Sequence, residues 1–253
     1  MHVRPKVPTC SPPKTTLSPE RINIMRDFLV KIALRLGIYK LVVEQIVRLQ
    51  NKIQSYRMRK SGLQMLQAAD NALSNIGVKA FLTYGALLGA YRDHGFISYD
   101  PDIDLGIIAD TIPDNLHQKM AEAGFVLYKQ GVLADRKTVF EETYIYKKLH
   151  LDIFYYFRDG NDLYSIIARK HETKEWKEAN ATDGFPCGRS YVPMSDFERR
   201  DFLGLQIYMP VKTDEWLRAI YSDSFMTPIK NWSAKDYQTR IIHTIDRTYR
   251  IYY

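Results

Sequence analysis

Asp100, Asp102 and Asp104 occupy alternate positions in "YDPDIDLGII", beside isoleucine and leucine. No other stretch of this chain restricts its fold as tightly. A strand sends alternate side chains to opposite faces, so the acids would share one face while Ile103 and Leu105 enter the other. Successive same-face Cα atoms stand roughly 6 to 7 Å apart, which lets such carboxylates converge on one or two cations. Left together without a cation, they repel one another and resist ionisation. A solvent-facing acidic edge is the plainer alternative.

A further acid interrupts an apolar strand in "LHLDIFYYF", where alternation places Asp152 on the face of His150 and Phe154. Either a basic partner in the core neutralises it, or it joins Asp102 and Asp104 as a ligand from a neighbouring strand. Carboxylate oxygens are hard donors, and a site built from them suits Mg²⁺ or Mn²⁺. Upstream, Gly85 and Ala86 precede a short helix expected to begin near Leu87. Small residues at such a turn let a phosphate approach backbone amides at a helix start, although a tight turn alone would explain them. Neither a Walker nor a dinucleotide-binding pattern is present.

Arg92 follows in the same segment, and its guanidinium fork suits a diphosphate, with a salt bridge as the structural alternative. His94 titrates near neutral pH and is a candidate base, or it simply orients a loop. Tyr84, Tyr91 and Tyr99 are candidates to shape a pocket, but with 18 tyrosines in the chain none is distinguished by type alone.

Around these motifs, segments of strand and helix alternate, which suggests an α/β or α+β fold rather than a repeat array. "VKAFLTYG", "DIDLGII", "GFVLYK", "TYIYKK" and "HLDIFYYF" read as strands. Helices are expected near 61–76, closed by Gly77, then over 113–124, near 213–222, and finally from about Ser233. "DGFPCGRSYVP" carries too many turn residues for a long element. The proline-rich residues 1–20 read as a flexible arm, 21–60 as a basic helical extension and 61–253 as the main domain.

In the extension, Ile24, Phe28, Ile32 and Leu36 recur at helical spacing, as do Val42, Ile46, Leu49 and Ile53, with a break expected at Gly37. That pattern fits a packing layer with a basic outer face, or an amphipathic surface for an anionic membrane. The net charge of +7 permits lipid, nucleic acid or a phosphate-bearing small molecule and selects none. Cys10 and Cys187 form neither a zinc ribbon nor a disulfide scaffold, which favours a reducing compartment. No apolar run is long enough to span a bilayer and the opening lacks a secretion signal, so a cytoplasmic or peripheral-membrane location is expected.

The acidic segment closely resembles the signature of the LicD family, which includes bacterial phosphocholine transferases and is related to fukutin and fukutin-related protein. Gly85, Leu87, Leu88 and Gly89 match its Gly-Thr-Leu-Leu-Gly stretch, Arg92 its arginine, and Gly95, Phe96 and Ile97 its middle step. Asp100, Asp102, Ile103 and Asp104 match its acidic end, and "HLDIFYYF" resembles its second acidic strand, with Asp152 at the carboxylate. Phe202, Gly204, Pro210, Tyr221 and Pro228 resemble its closing segment.

Ala86, Tyr99 and Pro101 depart from the family pattern, standing where a hydroxyl residue, a tryptophan and an aspartate are usual. Proline cannot donate a ladder bond, so Asp100 is expected just before the strand and turned from the cation. Asp102, Asp104 and Asp152 are therefore the first ligands expected, with Asp100 second.

The resemblance implies a nucleotidyltransferase-like fold, a mixed sheet flanked by helices, to which the helical periodicity adds helices at both ends. It also implies metal-dependent transfer of a phosphoalcohol, of the phosphocholine, ribitol phosphate or glycerol phosphate class, from a CDP-linked donor. The acceptor it implies is a hydroxyl of a glycan or lipid-linked glycan. In that reading Gly85, Ala86 and Arg92 face the donor phosphates, and nucleic acid is not an expected partner. Two alternatives stand beside it: transfer of a nucleoside monophosphate with pyrophosphate release, and a non-catalytic nucleic-acid-binding or scaffolding protein.

Overall fold

The computed structural model describes residues 39–229 and 241–253. The chain divides into two compact units, Met1–Gln50 and Asn51–Tyr253. The expected arm, the helical pattern from Ile24 to Leu36 and the break at Gly37 lie outside the described residues. Helix α1 (Tyr39–Ser74) is a single element, where two segments meeting near residue 60 were expected. Within the second unit Met58, Met65, Leu66, Ala69, Ala72 and Leu73 are buried, a spacing that puts one helix face into the core. Gly77, at φ +77°, closes the helix as expected, and the Val78 amide reaches back to the Leu73 carbonyl at 3.0 Å. No helix among the described residues is long and apolar enough to cross a membrane.

Strand β1 (Phe81–Leu82) pairs antiparallel with β2 (Asp102–Ile108) and parallel with β9 (Leu205–Pro210). Between β1 and β2 lie α2 (Tyr84–Leu88) and a π turn over Gly89–Asp93. Helix α3 (Leu116–Glu122) leads to the antiparallel strands β3 (Val126–Leu133), β4 (Val139–Tyr146), β5 (Leu149–Asp159) and β6 (Asp162–Ala168). Helix α4 (Trp176–Ala181), β7 (Phe185–Pro193), β8 (Phe197–Phe202) and α5 (Thr213–Tyr221) follow, and β10 (Ile241–Tyr252) ends the chain.

The ten strands form one mixed sheet in the order β4-β3-β10-β7-β6-β5-β2-β1-β9-β8. An additional β4–β5 pairing closes six of them into a barrel. Strand β5 is the shared wall, since it pairs parallel with β2 outside the ring. Helix α5 covers the open part of the sheet through Trp216, which is fully buried against Phe81, Tyr156 and Phe197 and donates to the Pro193 carbonyl at 2.8 Å. Gly106 admits the Phe81 ring, since a Cβ there would stand 2.2 Å from its edge.

The core strands, α3, α5 and the mixed α/β class agree with the sequence reading, and two assignments are corrected. "DGFPCGRSYVP" is a nine-residue strand from Phe185 onward, because β7 is bonded on both sides, to β6 and to β10. The C-terminal helical addition is replaced, over Ile241–Tyr252, by strand β10, which fills the gap between β3 and β7. Its isoleucines, threonines and tyrosines favour a pleated surface, and two waiting edges supply the ladder bonds.

Candidate functional site

Register assembles the site. Across four neighbouring strands, Lys129, Thr143, Asp152 and Asp104 stand directly opposite one another on one face. The adjoining row brings Arg250, Gly131, Glu141, Phe154 and Gly106 into line. Parallel pairing of β2 with β5 therefore sets the two acidic strands side by side, with Asp102 opposite His150.

Carboxylate oxygens of Asp100, Asp102 and Asp104 all lie within 4.8 Å of one another. Asp100 precedes β2, as Pro101 requires, but it does not turn away. Its amide donates to the Ile97 carbonyl at 3.0 Å, and that turn returns the carboxylate to the cluster. Gly85 makes room for it, since a Cβ would stand 2.2 Å from Asp100 Oδ2 and 3.2 Å from Asp104 Oδ2. The Gly85 amide, expected to face phosphate, donates instead to Asp104 Oδ2 at 2.9 Å.

All four aspartates resist ionisation. Burial pushes Asp102 up to about 7, with the neighbouring Asp100 charge adding to it. Asp152 is likewise pushed up to about 7 by burial, then by Glu141 and Asp102. Asp104 rises well above the usual carboxylate range through burial and the charges of Asp102, Asp100 and Asp152. Burial and the Asp152 charge raise Asp100.

The nearest cations are engaged elsewhere: Lys129 Nζ lies 3.2 Å and Arg250 Nη1 2.9 Å from Glu141 Oε1. Burial opposes the Glu141 charge, but these two cations outweigh it and its pKa falls. Asp152 Oδ1 is buried and has no hydrogen-bond partner. An unpartnered buried carboxylate oxygen beside three crowded carboxylates fits a divalent cation far better than it fits a finished core. Asp100, Asp102 and Asp104 could hold it, and oxygen ligands suit Mg²⁺ or Mn²⁺. Asp100, expected second, is in this group, whereas Asp152, expected among the first ligands, is not and does not line the cavity, standing opposite Asp104 on the next strand.

Above the acids opens a cavity of about 560 Å³, lined by Tyr84, Gly85, Arg92, Tyr99, the three clustered aspartates, Glu141, Phe154 and Arg250, among others. Tyr84 takes φ +42° at the start of α2, a left-handed position rare outside glycine. Its ring is held 4.6 Å from Phe154, and its hydroxyl bonds Ser165. Arg92 reaches the cavity but is paired with Asp93, at 2.7 and 2.9 Å, which raises its own pKa and lowers that of Asp93.

Other expected residues stand apart. Ala86 lies within α2 rather than before it, and its side chain is buried in the hydrophobic core. Tyr91 packs on Phe225 and His94 caps the π turn in a left-handed conformation, and neither lines the cavity. Sequence reading missed Lys129, Glu141 and Arg250. Glu141 interrupts an apolar strand much as Asp152 does, and that was its signal; Arg250 lay in a segment read as helix, where no cross-strand partner can be assigned.

A mixed sheet that sets two acidic strands side by side in parallel, with the acids of β2 on the floor of a cavity, defines a nucleotidyltransferase-like domain. The chain belongs to the LicD family: residues 77–212 match "LicD/FKTN/FKRP, nucleotidyltransferase domain". Among its relatives, the Mus musculus protein "Ribitol-5-phosphate transferase FKTN" is 27% identical over 187 residues, 73% of this chain and 37% of that protein. The Homo sapiens protein of the same name is 25% identical over 187 residues, again 73% of this chain and 37% of that protein. "Uncharacterized protein T07A5.1" of Caenorhabditis elegans is 32% identical over 126 residues, 47% of this chain and 32% of that protein. The chain thus spans little more than a third of the length of its transferase relatives.

Proposed function

We propose that this chain transfers a phosphoalcohol from a CDP-linked donor to a hydroxyl of a glycan or lipid-linked glycan. The observation that carries the reading is the acid cluster on the floor of a cavity with two guanidinium groups, Arg92 and Arg250, in its wall. A nucleotide diphosphate is anionic and of a size to enter such a cavity, and the names of the FKTN relatives specify ribitol 5-phosphate transfer.

Asp100, Asp102 and Asp104 would hold Mg²⁺ or Mn²⁺, which when bound offsets phosphate charge and charge developing on the leaving group. The Gly85 amide fixes the Asp104 carboxylate, and the Asp100 turn fixes the third acid. Arg92 and Arg250 donate to the diphosphate from the cavity wall. Asp152, with one oxygen unpartnered, orients or deprotonates the acceptor hydroxyl. Tyr84 and Phe154 form an aromatic wall for the donor. An anionic membrane surface is a further partner, reached through the basic helix α1.

Incubation with CDP-choline, CDP-ribitol and CDP-glycerol, divalent metal and a set of glycans tests the reading by mass analysis of both products. Release of CMP with a matching mass gain on the acceptor supports it. Incorporation of a nucleoside monophosphate with pyrophosphate release rejects it.

A further inference from the structure

Four aromatic rings form an exposed ridge beside the acid cluster. His150 and Tyr128 lie nearly parallel with centroids 6.2 Å apart, Tyr128 meets Tyr252 edge-on at 5.6 Å, and Tyr252 meets Trp176 at 6.0 Å. Tyr128, Tyr252 and Trp176 are 39%, 45% and 48% exposed, far more than large rings ordinarily remain. Their placement is built in. A register irregularity between Leu127 and Lys129 puts Tyr128 where it reaches both His150 and Tyr252. Tyr252 stands opposite Lys129 in the row that ends at Asp152 and Asp104.

The ridge is separate from the cavity, since none of the four rings lines it. It is nonetheless continuous with the acids, because His150 is the direct partner of Asp102 on the next strand and shares a face with Asp152. The acid cluster therefore lies between a cavity with two guanidiniums and a row of exposed rings.

We propose that this ridge is a carbohydrate-binding track that holds the acceptor. A pyranose has an apolar C–H face and a rim of hydroxyls, which complements aromatic faces whose edges carry O–H and N–H groups. The Tyr128 and Tyr252 hydroxyls and the Trp176 indole N–H sit on exposed side chains and can meet sugar hydroxyls, with Lys177 Nζ 5.6 Å from the Trp176 ring centroid as a further donor. The row is one ring wide and several rings long, a shape for an oligosaccharide rather than the broad apolar patch of a protein interface. The assignment of that sugar as acceptor rests on the transferase reading, because only that reading needs a second substrate at Asp152.

An array of short α- and β-linked oligosaccharides, probed with the full chain and with Trp176→Ala, Tyr252→Ala and Tyr252→Phe, tests the track. Binding should weaken by about three- to tenfold in each alanine variant, the scale of one lost aromatic contact, and survive in Tyr252→Phe. CDP affinity and metal-dependent CMP release without acceptor should be unchanged, while KM for a bound oligosaccharide rises and kcat holds. Turnover with unchanged oligosaccharide KM in both alanine variants overturns the track and leaves the transferase reading standing. Loss of sugar binding in those variants, in a chain that releases no CMP, upholds the track as a sugar site and rejects the transferase reading. Failure of the full chain to bind any oligosaccharide, or capture of a single-stranded oligonucleotide by the same rings instead, overturns the proposal.

Discussion

Asp104 and Asp152 stand directly opposite each other on adjacent parallel strands, 48 positions apart in the chain. Burial raises the pKa of both; the charges of Asp102, Asp100 and Asp152 add to it at Asp104, and those of Glu141 and Asp102 at Asp152. The pair concentrates the energetic cost of the site in one place, and its consequences can be measured.

Replacing Asp102 or Asp104 by asparagine removes one charge with little change in volume. Mn²⁺ affinity, read by calorimetry, should fall at least about tenfold, and turnover by about 100-fold or more, equivalent to some 2.7 kcal/mol of lost transition-state stabilisation. Unchanged affinity and turnover in both variants would remove these residues from the site.

Asp152→Asn separates function from stability. A carboxylate in a core salt bridge would cost stability when neutralised, whereas Asp152 forms no ion pair among the described residues and burial with the Glu141 and Asp102 charges outweighs the help of Lys129 and Thr143. Thermal unfolding of the metal-free variant should match or exceed the parent at pH 8, while turnover falls by about 100-fold. A large drop in melting temperature would identify a structural acid instead.

The raised pKa values set a sign for pH dependence. In the fold, Asp102 and Asp152 bind protons up to about pH 7, against roughly 3.9 in the unfolded chain, so the native state holds more protons between those limits. Metal-free stability should therefore fall as pH rises from about 4 to 7. Metal must displace those protons, so the Mg²⁺-induced rise in melting temperature should be larger at pH 8 than at pH 6. Equal shifts at both values would contradict the cluster as the binding site.

Two glycines offer a contrast. In Gly85→Ala the new methyl would stand 2.2 Å from Asp100 Oδ2, so metal affinity should drop while the fold persists. In Gly106→Ala it meets the buried Phe81 ring at 2.2 Å, and stability should fall by about 1 to 3 kcal/mol. Paired denaturant melts and metal titrations distinguish them, and the same profile for both variants would be unexpected.

Helix α1 exposes Ile53 and Tyr56 beside Lys52, Arg57 and Lys60. Sedimentation with vesicles should therefore rise with anionic lipid, fall with salt, and weaken in a Lys52→Glu, Arg57→Glu, Lys60→Glu variant. Equal recovery in the supernatant with neutral and anionic vesicles at low salt would end the membrane reading without touching the transferase proposal.

Sequence alone determined what local chemistry can determine. Alternation put Asp102 and Asp104 on one face and Asp152 with His150, because a strand's period of two needs no knowledge of its neighbours. The acid motif and the small residues before it were likewise enough to place the family. Tertiary structure decided everything that depends on who stands next to whom. Parallel pairing brought Asp104 beside Asp152, a turn outside the strand returned Asp100 to the cluster, and the Gly85 amide went to a carboxylate. Strand β10 reversed a helical assignment because its ladder bonds come from β3 and β7, residues far away in the chain, and with it came Arg250 and Tyr252. Periodicity fixes which face a side chain takes; only register fixes what it meets there.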